Sequence, residues 1–122
     1  MNDLVNKRMY ITTAIAYLNG EPHIGHALEI IQADCLARFY RLLGNDLVFQ
    51  TGADEHGIKI FNTAMKNNIE VHEFIEKYYQ LFIKLYKTLG ISNDRYVRTT
   101  SEIHKKGASK LWKKMVENGD LY

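Results

Sequence analysis

Short β-forming runs alternate with longer runs of helical period along this chain, and that alternation restricts the fold more than any other feature. Met9-Tyr10-Ile11-Thr12-Thr13 reads as a strand. From about Gly25 to Leu43, apolar Leu28, Ile31, Leu36, Phe39 and Leu43 recur at helical spacing, with Gly44 as the stop. Leu47-Val48-Phe49-Gln50 predicts a buried strand that ends at Thr51-Gly52. A short helix is expected over 58–67 and a longer one over 71–89. In the longer helix Phe74, Tyr78, Leu81, Phe82, Leu85 and Leu89 form a stripe closed by Gly90. Tyr96-Val97-Arg98-Thr99 predicts a third strand, and Ser101 can cap a last helix through Ile103, Leu111 and Met115. Strands separated by helices fold as a parallel α/β sheet, and ligands in such sheets sit at the carboxyl ends of the strands.

Composition removes several classes. The chain has 122 residues, enough for one modest core, with 46% hydrophobic and 25% charged residues. A net charge of +2 gives no bulk electrostatic reason to bind nucleic acid. The single cysteine, Cys35, cannot close an internal disulfide and is expected to be a buried small hydrophobe. The first residues hold no apolar signal core, and no run approaches the roughly 20 apolar residues that span a bilayer. The expectation is a cytoplasmic protein with no membrane contact.

Two segments carry chemistry. Glu21-Pro22-His23-Ile24-Gly25-His26 falls between the first strand and the first helix. A helix N-terminus favours an anion, imidazoles can donate to phosphate oxygens, and Gly25 lets a base or ribose approach the backbone. An ordinary helix start and a His-x-x-His metal pair remain alternatives at this point. Thr51-Gly52-Ala53-Asp54-Glu55-His56-Gly57 follows the second strand. There Asp54 suits an ammonium group, while a solvated Asp-Glu turn capping the next helix is the plainer reading. Ile15 and Tyr17, placed at the end of the first strand, could line an apolar pocket beside the histidines or simply pack. The lysines of the last helix, Lys105, Lys106, Lys110, Lys113 and Lys114, read as a solvated face.

Three blocks together resemble one family. Residues 13–26, ending in His-Ile-Gly-His, resemble the first strand and HIGH segment of class I aminoacyl-tRNA synthetases, with the HIGH segment at about 16–26. Leu28 to Asp34 looks like the helix that follows. Thr-Gly-Ala-Asp-Glu-His-Gly at 51–57 is similar to a block of methionyl-tRNA synthetases. The resemblance implies an α/β fold: half of a Rossmann-type (HUP-like) parallel sheet with flanking helices, occupying residues 1–122 and truncated before the connective insertion.

It also implies roles. His23 and His26 would hold the ATP triphosphate as the catalytic pair, Gly25 would admit the adenosine, and Ile15, Tyr17 and Asp54 would bind methionine. The implied reaction is ATP-dependent formation of methionyl-adenylate with Mg²⁺, then transfer to tRNA(Met). Ala16 stands where the family usually has proline. The chain lacks the Lys-Met-Ser-Lys-Ser loop and the connective domain, where any zinc would lie. It also lacks the regions that would contact tRNA, so it is expected to be a fragment, inactive alone and prone to self-association. Weaker alternatives are a HIGH-type nucleotidyltransferase outside translation, such as a pantothenate–β-alanine ligase, and a non-catalytic interaction module.

Overall fold

The computed structural model describes residues 7–121; the two ends of the domain expected over 1–122 lie outside the described residues. Its elements, in order, are β1 (Arg8–Thr12), β2 (Ala16–Tyr17), α1 (Ile24–Leu42), β3 (Asp46–Asp54), α2 (Ile58–Lys66), α3 (Val71–Leu89), β4 (Arg95–Arg98) and α4 (Glu102–Glu117). Every strand pairing is parallel, as the alternation of strands and helices requires. β3 is the spine. β1 pairs with its first half and β2 with its end, while β4 pairs with Gln50 to Ala53. Leu18, Ile30, Phe49, Ile60, Phe74 and Phe82 fill the core between the sheet and its helices.

Glycine ends two of the helices as expected. Gly90, in the left-handed region at φ 63, caps α3, and Gly44, at φ 81, follows the C-cap of α1. The Ser101 side chain caps α4 by accepting the His104 N–H.

Three expectations need correction. β3 does not stop at Thr51-Gly52 but runs on through Asp54, because its last residues are paired with β2 or β4. Gly52 permits this: a Cβ there would sit 2.3 Å from the Val97 carbonyl oxygen of β4. Next, the large apolar residues that reveal α1 are not its buried face. Leu28 is 57% and Phe39 52% exposed, whereas Ala27, Ile30, Asp34 and Ala37 are buried. Ala27 and Ala37 let the helix lie close to the sheet, Ile30 fills the core, and Leu28, Leu36 and Phe39 point away. Cys35 lies on the outward side and is exposed rather than buried.

α4 departs further. None of its residues is buried, and Ile103 and Leu111 are exposed. In α3 the expected stripe holds at Phe74 and Phe82, and the buried face also includes Ile75 and Tyr86.

A polar clamp fixes α1 on the sheet. Asp34 accepts hydrogen bonds from Arg38 Nε (2.7 Å), Ser92 N (2.8 Å) and Ser92 Oγ (2.5 Å). Burial alone would raise its carboxyl pKa, but these donors outweigh burial and hold it below the ordinary value. Arg41 adds bonds to Ser92 and Asp94, and Asp94 accepts from the Phe49 N–H of β3.

Candidate functional site

The N-terminus of α1 is closed by two histidines that cap each other. His23 Nδ1 accepts the Gly25 N–H at 3.1 Å, and His26 Nδ1 accepts the His23 N–H at 3.2 Å. A neutral imidazole whose Nδ1 accepts must carry its hydrogen on Nε2. Both rings therefore present an Nε2–H donor at a helix N-terminus, where the dipole already favours an anion. The rings lie 3.9 Å apart between centroids, and His26 packs edge-on against Phe82 at 5.0 Å. Burial, then the neighbouring His23, holds the His26 pKa below its ordinary 6.5, with Glu29 pulling weakly the other way.

Gly25 serves this geometry directly. A Cβ at that position would stand 3.0 Å from the His23 ring. The space left by the absent side chain is used by His23 itself, which folds back over the first turn.

A cavity of about 170 Å³ lies beside the histidines, lined by Thr13, Ile15, Tyr17, His26, Glu29 and Tyr86 among others. It brings together three of the expected site residues, Ile15, Tyr17 and His26; His23, Gly25 and Asp54 are not in its lining. Its wall differs from the expectation that Ile15 and Tyr17 end the first strand. The chain leaves β1 after Thr12 and rejoins the sheet as β2, with Ile15 in the link and Tyr17 in the new strand. Glu29 holds that link by accepting the Ala14 N–H at 3.1 Å. Glu29 and Tyr86 were not among the expected residues. Glu29 had a sequence signal, since it follows His26 by three and so shares its helix face.

Tyr17 joins the cavity to the second segment. It pairs in register with Asp54, and a Cβ at Gly57 would lie 2.2 Å from its hydroxyl oxygen. Gly57 itself sits at φ 124, a conformation few side chains tolerate. So Asp54, expected to face an ammonium group, ends β3 beside Tyr17 at the carboxyl edge of the sheet.

The solvated-turn reading of Asp54-Glu55-His56 fails. The Glu55 side chain is 0% exposed and meets Arg98 Nε at 2.6 Å and the Thr100 hydroxyl. Nor does the segment cap the next helix through a side chain, since the N-cap of α2 is Gly57 and no side-chain bond is made there. A metal-ligand reading gains nothing either: among the described residues no three His, Cys, Asp or Glu side chains converge.

Comparison with known proteins finds relatives along nearly the whole chain. The family described as tRNA synthetases class I (M) matches residues 9–122. A methionine–tRNA ligase from Brucella suis is 49% identical over 116 residues, covering 95% of this chain and 22% of the relative. One from Rickettsia bellii is 44% identical over 118 residues, covering 97% and 23%. The solved structure of Mycobacterium tuberculosis methionyl-tRNA synthetase in complex with methionyl-adenylate superposes with a TM-score of 0.93 at 41% identity, covering 95% of this chain and 23% of that one. The chain thus spans under a quarter of the length of the relatives it matches.

Proposed function

The chain belongs to the class I tRNA synthetases (M), and from that premise we propose that it supplies the ATP- and methionine-binding half of a methionine–tRNA ligase active site. The observation that carries this reading is the pair of Nε2–H donors at the head of α1, set beside a small cavity whose Tyr17 wall adjoins Asp54. His23 and His26 hold the ATP phosphates. Ile15 and Tyr17 contact the methionine side chain, and Asp54 takes its ammonium. Gly25 leaves room for the His23 ring to fold over the first turn beside that site.

The methionine carboxylate then attacks the α-phosphorus of ATP. A carboxyl–phosphate bond forms, the bond between the α- and β-phosphates breaks, and pyrophosphate leaves. In the complete enzyme a hydroxyl at the 3′ end of tRNA(Met) attacks the methionyl carbonyl carbon, an ester bond forms, the carboxyl–phosphate bond breaks and AMP leaves. The protein's part is alignment and charge stabilisation, since neutral imidazole donors strengthen as negative charge grows on the phosphates. Mg²⁺ is commonly held by one or two carboxylates together with substrate phosphates, and the reading here is that it arrives on the ATP rather than in a dedicated cage of side chains. Any zinc belongs to a connective domain.

No helix among the described residues is long and apolar enough to cross a membrane, and the reading places the protein in the cytoplasm with the rest of translation. The exposed apolar residues of α1 and α4 support self-association of the 122-residue chain in isolation.

The test is titration of the isotope-labelled chain with a non-hydrolysable methionyl-adenylate analogue. Saturable shifts are expected at Ile15, Tyr17, the His23 and His26 rings and Asp54, and Asp54→Ala should weaken binding of that analogue by tenfold or more. Shifts confined to α4, or none up to millimolar ligand, would overturn the assignment of these residues.

A further inference from the structure

We propose that Thr99, together with the buried Glu55–Arg98 pair, positions the Asp54 carboxylate, holding it in one orientation toward a ligand's ammonium group. This rests on the reading of Asp54 as the ammonium acceptor and adds the residues that aim it.

The arrangement starts from Glu55, the residue after Asp54. Its side chain is fully buried at the carboxyl end of β3. A buried carboxylate survives only if paired, and Arg98 at the end of β4 supplies the pairing at 2.6 Å. Arg98 is itself held in place. Its NH1 meets Glu76 of α3 at 3.0 Å, and its guanidinium stacks over the Tyr79 ring at 3.9 Å. Burial acts to lower the Arg98 pKa, but the bonds to both carboxylates outweigh it and keep the group charged. The residue beside Asp54 is therefore bolted to two other elements, β4 and α3.

Thr99 carries that rigidity to Asp54. Its backbone N–H continues the sheet by donating to the Ala53 carbonyl at 3.3 Å. Its hydroxyl accepts the Glu55 N–H at 2.8 Å, which leaves its own hydrogen to donate. The acceptor it faces is Asp54 Oδ1 at 3.4 Å, a long contact and weak alone. The same Oδ1 also receives the His56 N–H at 3.2 Å, and a His56 ring nitrogen bonds the Thr99 carbonyl at 3.2 Å. Both bonds to the Asp54 carboxylate thus end on one oxygen. Among the described residues no hydrogen bond reaches Oδ2, so the carboxylate is held through Oδ1 and its second oxygen is left to accept from a ligand.

A purely structural clamp would stabilise the fold without fixing Asp54. The experiment separates the two. Three-bond couplings of the 122-residue chain report the χ1 rotamers of Asp54 without any ligand. In the unaltered chain they should show one dominant rotamer. Thr99→Val removes the hydroxyl at nearly constant volume and should leave the couplings averaged, and Thr99→Ser should restore them. If Thr99→Val melts out, Thr99→Ala is read in its place. A single Asp54 rotamer in a folded variant lacking the hydroxyl would overturn the proposal.

The second reading uses L-methionine as the probe. Loss of the hydroxyl should weaken its binding severalfold and leave ATP binding unchanged, with Thr99→Ser again close to the original. Averaged couplings with unchanged methionine affinity would confirm the clamp but refute the ammonium role of Asp54 on which its purpose rests.

Discussion

Gly52→Ala is the substitution whose cost follows most directly from the geometry. The added Cβ would stand 2.3 Å from the Val97 carbonyl oxygen and 3.1 Å from Val97 Cβ, where ordinary contact begins near 3.4 Å. The first obstacle is backbone, so no rotamer change relieves it. β3 and β4 must separate by about 1 Å, on strands normally about 4.8 Å apart. That stretches the ladder running from Gln50–Arg95 to Ala53–Arg98 beyond hydrogen-bond range at its centre. Two lost bonds at about 1 kcal/mol each, with about 1 kcal/mol of residual overpacking, give a loss of about 3 kcal/mol. Urea unfolding followed by far-UV circular dichroism reads this as a midpoint lower by about 1–2 M for a typical m value of about 2 kcal/mol/M. Gly20→Ala, where nothing lies within 4 Å, is the control and should stay within about 0.5 kcal/mol. A Gly52→Ala protein as stable as that control would refute the close approach of β3 and β4.

Other expectations follow from the same structure. Gly107 lies inside α4 with open space where its Cβ would go, so Gly107→Ala should raise stability by about 0.5–1 kcal/mol in the same assay. Arg98→Ala leaves the buried Glu55 charge without its partner and should cost about 3–5 kcal/mol, again by denaturant unfolding. Stability should fall with acid in two windows, because the folded pKa values of His26 and Asp34 both lie below their ordinary 6.5 and 3.8. In each case the unfolded chain binds the proton first, so the contribution is complete above the ordinary value and is lost as pH falls through the folded one. Melting across the pH range checks this: His26→Gln should erase the upper window, and Asp34→Asn should shrink the lower one, which Glu76 shares because its bonds to Gln80 and Arg98 also hold it below its ordinary value.

The parallel α/β character and the extent of α3 were legible in the sequence, because period and glycine stops are local signals, whereas β2 is too short to show. The true end of β3 was not. Thr51-Gly52-Ala53-Asp54 looks like a turn, and only pairing with β2 and β4 makes it strand. The buried side of α1 was misleading for a similar reason. Ala27, Asp34 and Ala37 give almost no hydrophobic signal, while Leu28 and Phe39 give a strong one and face outward. At the site, the histidine pair and Asp54 were visible as residue types in a suggestive order. Their mutual capping, which fixes both rings as Nε2–H donors, depends on backbone geometry that no spacing reveals. Glu55 looks like half of a solvated turn in the sequence, because its partner Arg98 lies 43 residues away in the chain.

The most direct test of the account is ATP–pyrophosphate exchange across a panel of amino acids. The assay would use the Brucella suis ligase with its matched segment replaced by this chain. The account predicts exchange with methionine and with no other amino acid, abolished by Asp54→Ala in the same hybrid. A folded hybrid that exchanges with no amino acid, or that retains methionine exchange after Asp54→Ala, would contradict it.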